Sequence, residues 1–387
     1  MKKIALLYPL NAESKKRYVQ AIEKLGYEPI IVVGNNNAFL EEKNRVVLNG
    51  DTENASRVAQ VLRGVGDVCA VIAAGEFSVE MAEKVSDILL LKKSMKKPAS
   101  ILRNKAIMRT EFTRYGVEQP KVLGIAKDKI QLSQLADKVC NFPIISKPVD
   151  MAGSWFVAIN HNRQSIIENG QPIFDYKSAK TTGLNFECQC LLESFFEGEE
   201  YSAEVIVHDG HIVKYIVNKK ILSALPYFDE VGHICGVSLG MNVESTLLKN
   251  LHGIIAASGV TDSVIHVEFR VNNMGELNII EAGCRVAGDR ISELVQLKYD
   301  ISLEEVMVRL KAGLKLPSFE QENDTIIGIR FLFLGTPKLI DNAVCIVQDK
   351  MKEFDRRENL QATHIANRLG YEIFTLSKES DLLRVFS

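Results

Sequence analysis

The sequence lacks both common glycine-rich phosphate fingerprints. No G-x-G-x-x-G follows the first apolar run, which meets Tyr8-Pro9-Leu10-Asn11 instead, and no G-x-x-x-x-G-K-[ST] occurs anywhere. Nucleotide binding through either loop is therefore excluded. An excess of one charge sign is also lacking: 47 Lys and Arg against 49 Asp and Glu give a formal charge of −2. With no overall field and no local basic stripe, a nucleic-acid partner is not expected. Cysteine is sparse and odd in number. The seven residues, Cys69, Cys140, Cys188, Cys190, Cys235, Cys284 and Cys345, form no disulfide framework in a chain this long, which suits a reducing, cytoplasmic setting. Cys188-Gln189-Cys190 alternates as if along one strand face, and no second pair or His cluster completes a zinc site, so buried thiols are expected. Long apolar runs are missing too. Ile4 to Tyr8 is too short for a secretory or membrane-spanning segment and reads as a buried first strand, so no membrane partner is expected.

What is present is an ordinary globular balance, 46% hydrophobic and 25% charged over 387 residues, enough for two or three packed units. The first hundred residues alternate β-branched runs near 3–8, 29–33 and 68–73 with amphipathic patterns near 13–26, 53–63 and 77–90. Such alternation predicts a small parallel sheet with helices on its faces. Gly34 and Asn35 to Asn37 are expected to close the second strand, because these residues tolerate positive φ. The basic stretch Lys92-Lys93-Ser94-Met95-Lys96-Lys97-Pro98 reads as a boundary, with a helix restarting over about 101–115. From 120 to about 320 strand patterns dominate, including Tyr201–Val207, Ile212–Val217, Val264–Val271 and Leu277–Glu281. Asp209-Gly210 and Asn273-Met274-Gly275 mark hairpin turns. This is an α+β unit with antiparallel hairpins. After Pro317 come another strand pair and a mixed α/β tail.

The most informative segment is the hairpin from His266 to Arg285. Glu268 lies in one strand and Glu281 near the end of its partner, so pairing brings two carboxylates together on one face. Adjacent carboxylates repel unless a cation lies between them. Mg2+ suits the position, because it takes hard oxygen ligands at about 2.1 Å and shares them with phosphate oxygens. The same two residues are also compatible with exposed glutamates on a solvated face.

With its trailing Arg285, this hairpin resembles the metal-binding hairpin of ATP-grasp enzymes. Three further segments extend the likeness. Asn104-Lys105 opens a helix. The strand Phe142 to Pro148 ends in Lys147, whose buried ammonium needs an anionic partner, and runs into Met151-Ala152-Gly153-Ser154-Trp155, where Gly153 and Ser154 form a flap able to close over phosphates through backbone N–H groups and a hydroxyl. Leu191 to Glu204 is similar to the linker between the family's nucleotide-binding lobes. The resemblance implies an ATP-grasp fold, α/β and α+β, with a small N-terminal parallel-sheet (pre-ATP-grasp) domain over 1–100. The ATP-grasp domain would span 101–320, with a flap subdomain at about 120–195, and a C-terminal α/β portion, 321–387, would pack on its core. It further implies ATP bound by Lys105, Lys147, Gly153, Ser154, the backbone of Glu193, Ser194, Phe195 and Phe196, and Glu200 at the ribose. Mg2+, or Mn2+ in its place, would be held by Glu268 and Glu281, with Lys147 and Arg285 catalytic.

The chain departs from that pattern at Gly283, where many members carry an asparagine that completes the metal shell. The number of metal ions held therefore stays open. Arg285 either faces the reacting groups or forms a salt bridge to Glu268 or Glu281. Tyr227 to His233 and Arg285-Val-Ala-Gly288-Asp289-Arg290 resemble the substrate loops of the L-amino acid ligase, dipeptide-forming branch. This implies that Glu230 and Asp289 grip an ammonium, that His233 and Arg285 face a carboxylate, and that Gly288 lies between them. His233 is equally readable as a hydrogen-bonded loop histidine. The implied activity is a cytoplasmic ligase joining a small-molecule carboxylate to an amine through an acyl-phosphate, as a homodimer in many relatives. Carboxyphosphate or formyl transfer within the same fold, and a non-catalytic ATP-binding regulatory subunit, are the alternatives.

Overall fold

β-Branched runs become strands where their alternate residues find two apolar layers to occupy. In the computed structural model, which describes residues 1–8, 12–33, 45–47, 54–176, 186–350 and 367–386, the chain begins β1 (Lys3–Leu7), α1 (Ala12–Lys24), β2 (Glu28–Val33), β3 (Arg45–Val47), α2 (Ala55–Val65), β4 (Val68–Ala73) and α3 (Val79–Ile88). The four strands form a parallel sheet in the order β3-β2-β1-β4. Ala5, Leu7, Ile30 and Val32 pack beneath α2 and α3, while Ile4 and Leu6 face the opposite core with Tyr18 and Ile22 of α1. This is the period-2 division that buries a sheet on both faces. β3 is missed by the sequence pattern, since three residues show no alternation. The helix expected near 77–90 is instead a 3₁₀ turn, Glu76–Ser78, followed by α3. The Gly34–Asn37 turn lies outside the described residues.

Asn104 interrupts the helix expected over 101–115. α4 (Ser100–Arg103) ends at this residue, whose extended backbone (φ −109°, ψ 114°) starts α5 (Lys105–Arg114). Its side chain accepts from the amides of Ala106 and Ile107 at 2.9 and 3.2 Å, satisfying two donors that no helical carbonyl reaches.

β5 (Val122–Ala126), β6 (Ile144–Pro148), β7 (Ala158–Asn160) and β8 (Cys190–Ser194) make an antiparallel sheet, β5-β8-β6-β7, covered by α6 (Lys129–Ala136) and α7 (Arg163–Asp175). Cys190 opens β8, but Cys188 precedes it with φ 50°, so the two thiols do not alternate along one strand.

The remaining strands are β9 (Glu199–His208), β10 (His211–Leu222), β11 (Glu230–Cys235), β12 (Ser263–Val271), β13 (Leu277–Gly283), β14 (Ile326–Leu332), β15 (Ala343–Lys350) and β16 (Gly370–Leu376). They form an eight-stranded antiparallel sheet, β13-β12-β9-β10-β11-β14-β16-β15. Interleaved helices are α8 (Met241–Ser258), α9 (Ile291–Tyr299), α10 (Leu303–Ala312) and, last, α11 (Leu382–Phe386). Five helices thus lie within 120–320 among the described residues, more than a strand-dominated pattern anticipates. In α8, Val243, Leu247, Leu251, Ile254 and Ile255 recur every three to four residues and are buried, a helical period that short apolar runs conceal. After Pro317 come β14 and β15, then β16 and α11. The first unit docks through α10, where Arg17 meets Glu304 at 2.9 Å and Lys24 meets Glu305 at 2.8 Å. No helix among the described residues is long and apolar enough to cross a membrane.

Because Asn104 caps α5 and also donates to Glu187 at 3.0 Å, Asn104→Ala should destabilise the protein by about 1 kcal/mol. A lowered urea midpoint at unchanged slope would show this, and an unchanged midpoint would contradict it.

Candidate active site

Period-2 alternation collects the polar side chains of the large sheet on one face. On β9, Tyr201, Ala203 and Val205 enter the apolar core with Val267 and Phe269 of β12. The intervening Glu200, Ser202 and Glu204 face the other way, as do His266, Glu268 and Arg270, and the register pairs Arg270 with Glu200, Glu268 with Ser202 and His266 with Glu204. A one-residue slip would reverse this segregation. Facing them across a cleft of about 1000 Å³ are Lys147 and Glu193 from the smaller antiparallel sheet, Lys105 from α5, and the Gly153–Ser154 loop.

Lys220 lies at the centre of the polar face, with its side chain 4% exposed. Its Nζ is 2.9 Å from Glu200, 2.7 Å from Glu230 and 3.0 Å from Glu268. These three carboxylates outweigh the cost of burial and hold the ammonium well above its ordinary pKa. Sequence reasoning missed Lys220, since a lysine next to Lys219 reads as solvated. Its only signal is the strand alternation that exposes Lys219 and buries Asn218 and Lys220.

Glu268 and Glu281 are directly paired across β12 and β13. Lys220 and His266 (3.1 Å) contact Glu268, and Lys105 is 3.2 Å from Glu281. Burial alone would raise the carboxyl of Glu268, but Lys220 and His266 hold it well below the ordinary range. His266 in turn is raised to about 9: burial opposes its charge, and Glu204, 2.8 Å away, outweighs that. Two carboxylates side by side, their hard oxygen donors opening on the cleft, fit an Mg2+ ion.

Lys105 donates to the Met151 carbonyl at 2.7 Å. Lys147 pairs with Glu193, whose other oxygen accepts from Arg109 at 3.0 Å. Burial, reinforced by Arg109 and Lys105 against the pull of Glu193, lowers Lys147 to about 8. In Glu193 the burial penalty is outweighed by Arg109 and Lys147, so the carboxylate stays ionised. Arg109, also missed from sequence, resembles any charged helix residue until α5 is packed. The amides of Ser194 and Phe195 donate to the carbonyls of Lys121 and Pro143, and the Phe196 carbonyl accepts from Arg270 at 3.4 Å. Glu200 sits between Arg270 (2.9 Å) and Lys220 at the cleft wall. Gly153, Ser154 and Phe156 all have positive φ, between 56° and 68°.

The residues expected at the substrate separate into two groups. Glu230 and Arg285 line the cleft, whereas His233, Gly288 and Asp289 lie outside its lining. Arg285 pairs through Nε with Glu76 at 2.7 Å, not with either carboxylate of the hairpin. Asp289 is gripped by both terminal nitrogens of Arg368 at 3.0 Å each, and Arg368 lies 3.5 Å from the centre of the Phe331 ring. His233 is fully buried, its Nε2 lying 3.7 Å from Glu230 and 3.9 Å from Asp289, so neither ring nitrogen makes a hydrogen bond among the described residues. Burial lowers the histidine and raises Glu230, and Asp289 is held well below its usual range by Glu230 and Arg368 against the cost of burial.

Residues 140–293, which carry much of this cleft, match the family model of an ATP-grasp domain. Among individual proteins, the chain is similar to the L-arginine-specific L-amino acid ligase of Bacillus subtilis, 22% identical over 207 residues, which cover 54% of this chain and 49% of that one. It is also similar to human carnosine synthase 1, 22% identical over 187 residues, covering 47% of this chain and 21% of the other. The chain thus spans about half the length of the first of these curated relatives and about a fifth of the second. The L-amino acid ligase structure from Bacillus licheniformis superposes with a TM-score of 0.76 at 18% identity, over 100% of this chain and 96% of that one, a likeness of fold.

If Lys147 meets nucleotide phosphate as a cation, affinity for a non-hydrolysable ATP analogue should fall as pH rises through about 8, by up to about tenfold per unit. Lys147→Arg, which cannot lose its proton in this range, should flatten the profile. Parallel profiles in equilibrium titrations would contradict this assignment.

Proposed function

We propose that the chain is an ATP- and Mg2+-dependent ligase that joins a carboxylate to an amine through an acyl-phosphate, with an amino acid as at least one substrate. The observation that carries the reading is the convergence of Glu268, Glu281, Lys105, Lys147 and Arg285 on one cleft. A lone nucleotide-binding module has no need of an arginine beside paired carboxylates. In this reading the units are those of 1–100, 101–320 and 321–387.

Each residue then has a task. Lys105 and Lys147 neutralise ATP phosphates, with Gly153 and Ser154 closing over them. Glu193 to Phe196 line the adenine, and Glu200 accepts from ribose hydroxyls. Glu268 and Glu281 hold the metal, which when bound offsets phosphate charge and orients the transferring group. A carboxylate oxygen is a poor leaving group until phosphorylated. Attack of the substrate carboxylate on the γ-phosphorus therefore comes first, releasing ADP, with Arg285 stabilising the developing charge. The amine then attacks the acyl carbon, the acyl–oxygen bond to phosphate breaks, and the proton surrendered by the amine leaves on the inorganic phosphate. Glu230, at the cleft wall, receives an ammonium in this reading, with His233 and Asp289 behind it. Closure of the flap excludes water that would hydrolyse the acyl-phosphate.

The deciding experiment measures phosphate release from ATP with Mg2+ against amino acids supplied singly and in pairs, followed by mass spectrometry of active mixtures. Release that depends on an amino acid, with a condensed product, is expected. ATP binding without release in any mixture would contradict the ligase reading and favour the non-catalytic alternative. Glu281→Gln should abolish turnover while leaving the melting temperature nearly unchanged. Asp289→Ala should change relative kcat/KM among amino acids more than ATP affinity, and an equal loss with every substrate would refute the pocket assignment.

A further inference from the structure

Arg285 is held by a residue far away in sequence. Glu76 belongs to the 3₁₀ turn after β4, in the N-terminal unit, and is only 6% exposed. Its Oε2 lies 2.7 Å from Arg285 Nε, across 209 positions of chain. The turn itself is braced. Ser78 Oγ donates to the Gly75 carbonyl at 2.9 Å, and the Phe77 ring meets Phe186 edge-on at 5.6 Å with the Arg103 guanidinium 4.9 Å above it.

A second observation comes from the last residue of β13, two positions before Arg285. A Cβ at Gly283 would lie 2.7 Å from the same Glu76 Oε2, closer than non-bonded carbon and oxygen approach. A side chain at this position would therefore displace the Glu76 carboxylate from its place beside Arg285. Arg285 Nη1 is also engaged, donating to the Val286 carbonyl at 3.2 Å. Two of the three guanidinium nitrogens are thus fixed by protein, at a residue that lines the cleft.

We propose that Glu76 is a positioning residue for Arg285, and that Gly283 exists to admit it, so that the N-terminal unit completes the active site. A guanidinium anchored at Nε and Nη1 keeps its remaining terminal nitrogen, Nη2, in place without reorganising when charge develops nearby. The task of Arg285 rests on the ligase reading. The hold of Glu76 upon it does not, and the two are tested separately.

In the ligand-free full-length protein, the Arg285 Nε–H resonance, assigned by its disappearance in Arg285→Lys, should exchange slowly with solvent. In Glu76→Ala its exchange should accelerate by about tenfold or more, the loss expected for a buried charge-assisted hydrogen bond. Unchanged exchange would overturn the proposal. With ATP, Mg2+ and the amino-acid mixtures as probes, Glu76→Ala should lower kcat by about tenfold or more, as for loss of a preorganised donor, with ATP affinity unchanged. It should cost nothing further in an Arg285→Ala background, and Glu76→Asp should restore part of the loss. Gly283→Ala should lower kcat and the melting temperature in the wild type but not in Glu76→Ala. Losses that multiply in either double variant would refute the proposal. Should the wild type release no phosphate at all, the ligase reading falls, and proton exchange together with the Gly283 and Glu76 melting coupling still decides the role of Glu76. If Glu76→Ala does not fold, Glu76→Gln replaces it, with the same outcomes.

Discussion

One buried ammonium ties the site together. Lys220 takes carboxylates from β9, β11 and β12, and in the proposed reading those three carboxylates have three different tasks: Glu200 at the ribose, Glu230 at the substrate and Glu268 at the metal. An unpaired charge buried to this degree would be severely destabilising, and three unpaired carboxylates at one point would repel. Each side of the cluster is tolerated only because the other is present. The strand register that brings them together is therefore as much an electrostatic requirement as a packing one.

The same logic extends to the borders between units. Lys147, Arg109 and Glu193 form a buried triad between α5 and the smaller sheet. Arg285 and Glu76 form an ion pair between the N-terminal turn and the end of β13. Lys311 of α10 reaches Glu83 of α3 at 3.3 Å, and both are buried. A chain whose formal charge is only −2 thus places opposite charges in buried pairs where its elements meet. Local pairing, rather than net charge, creates a site suited to a polyanionic nucleotide and a hard cation.

How much of this was legible in the sequence depends on how far each signal extends along the chain. Glu268 and Glu281 could be read because Asn272 to Gly275 closes a short hairpin and nearly fixes the register between them. Lys147 and the Gly153-Ser154 loop follow the same strand and are local as well. Lys220 and Arg109 were not legible, because a lysine in a strand and an arginine in a helix look solvated until tertiary packing buries them. Glu76 gave no signal at all: its partner is 209 positions away, and only the missing side chain at Gly283 hints at something filling that space. The sequence anticipated the parallel N-terminal sheet from its two-sided apolar runs, but lost β3 to its shortness and α8 to the prominence of the strands around it. Asp289 illustrates a different limit, since its grip by Arg368 comes from the segment before β16, which no local pattern connects to it.

The central claim is that the paired carboxylates of β12 and β13 hold a divalent cation together with ATP phosphates. Electron paramagnetic resonance of Mn2+ bound with a non-hydrolysable ATP analogue tests this most directly. Wild-type protein should give a bound-ion spectrum with phosphorus coupling that is lost in Glu268→Gln and Glu281→Gln. Bound Mn2+ whose spectrum and affinity are unchanged in both variants would contradict the account.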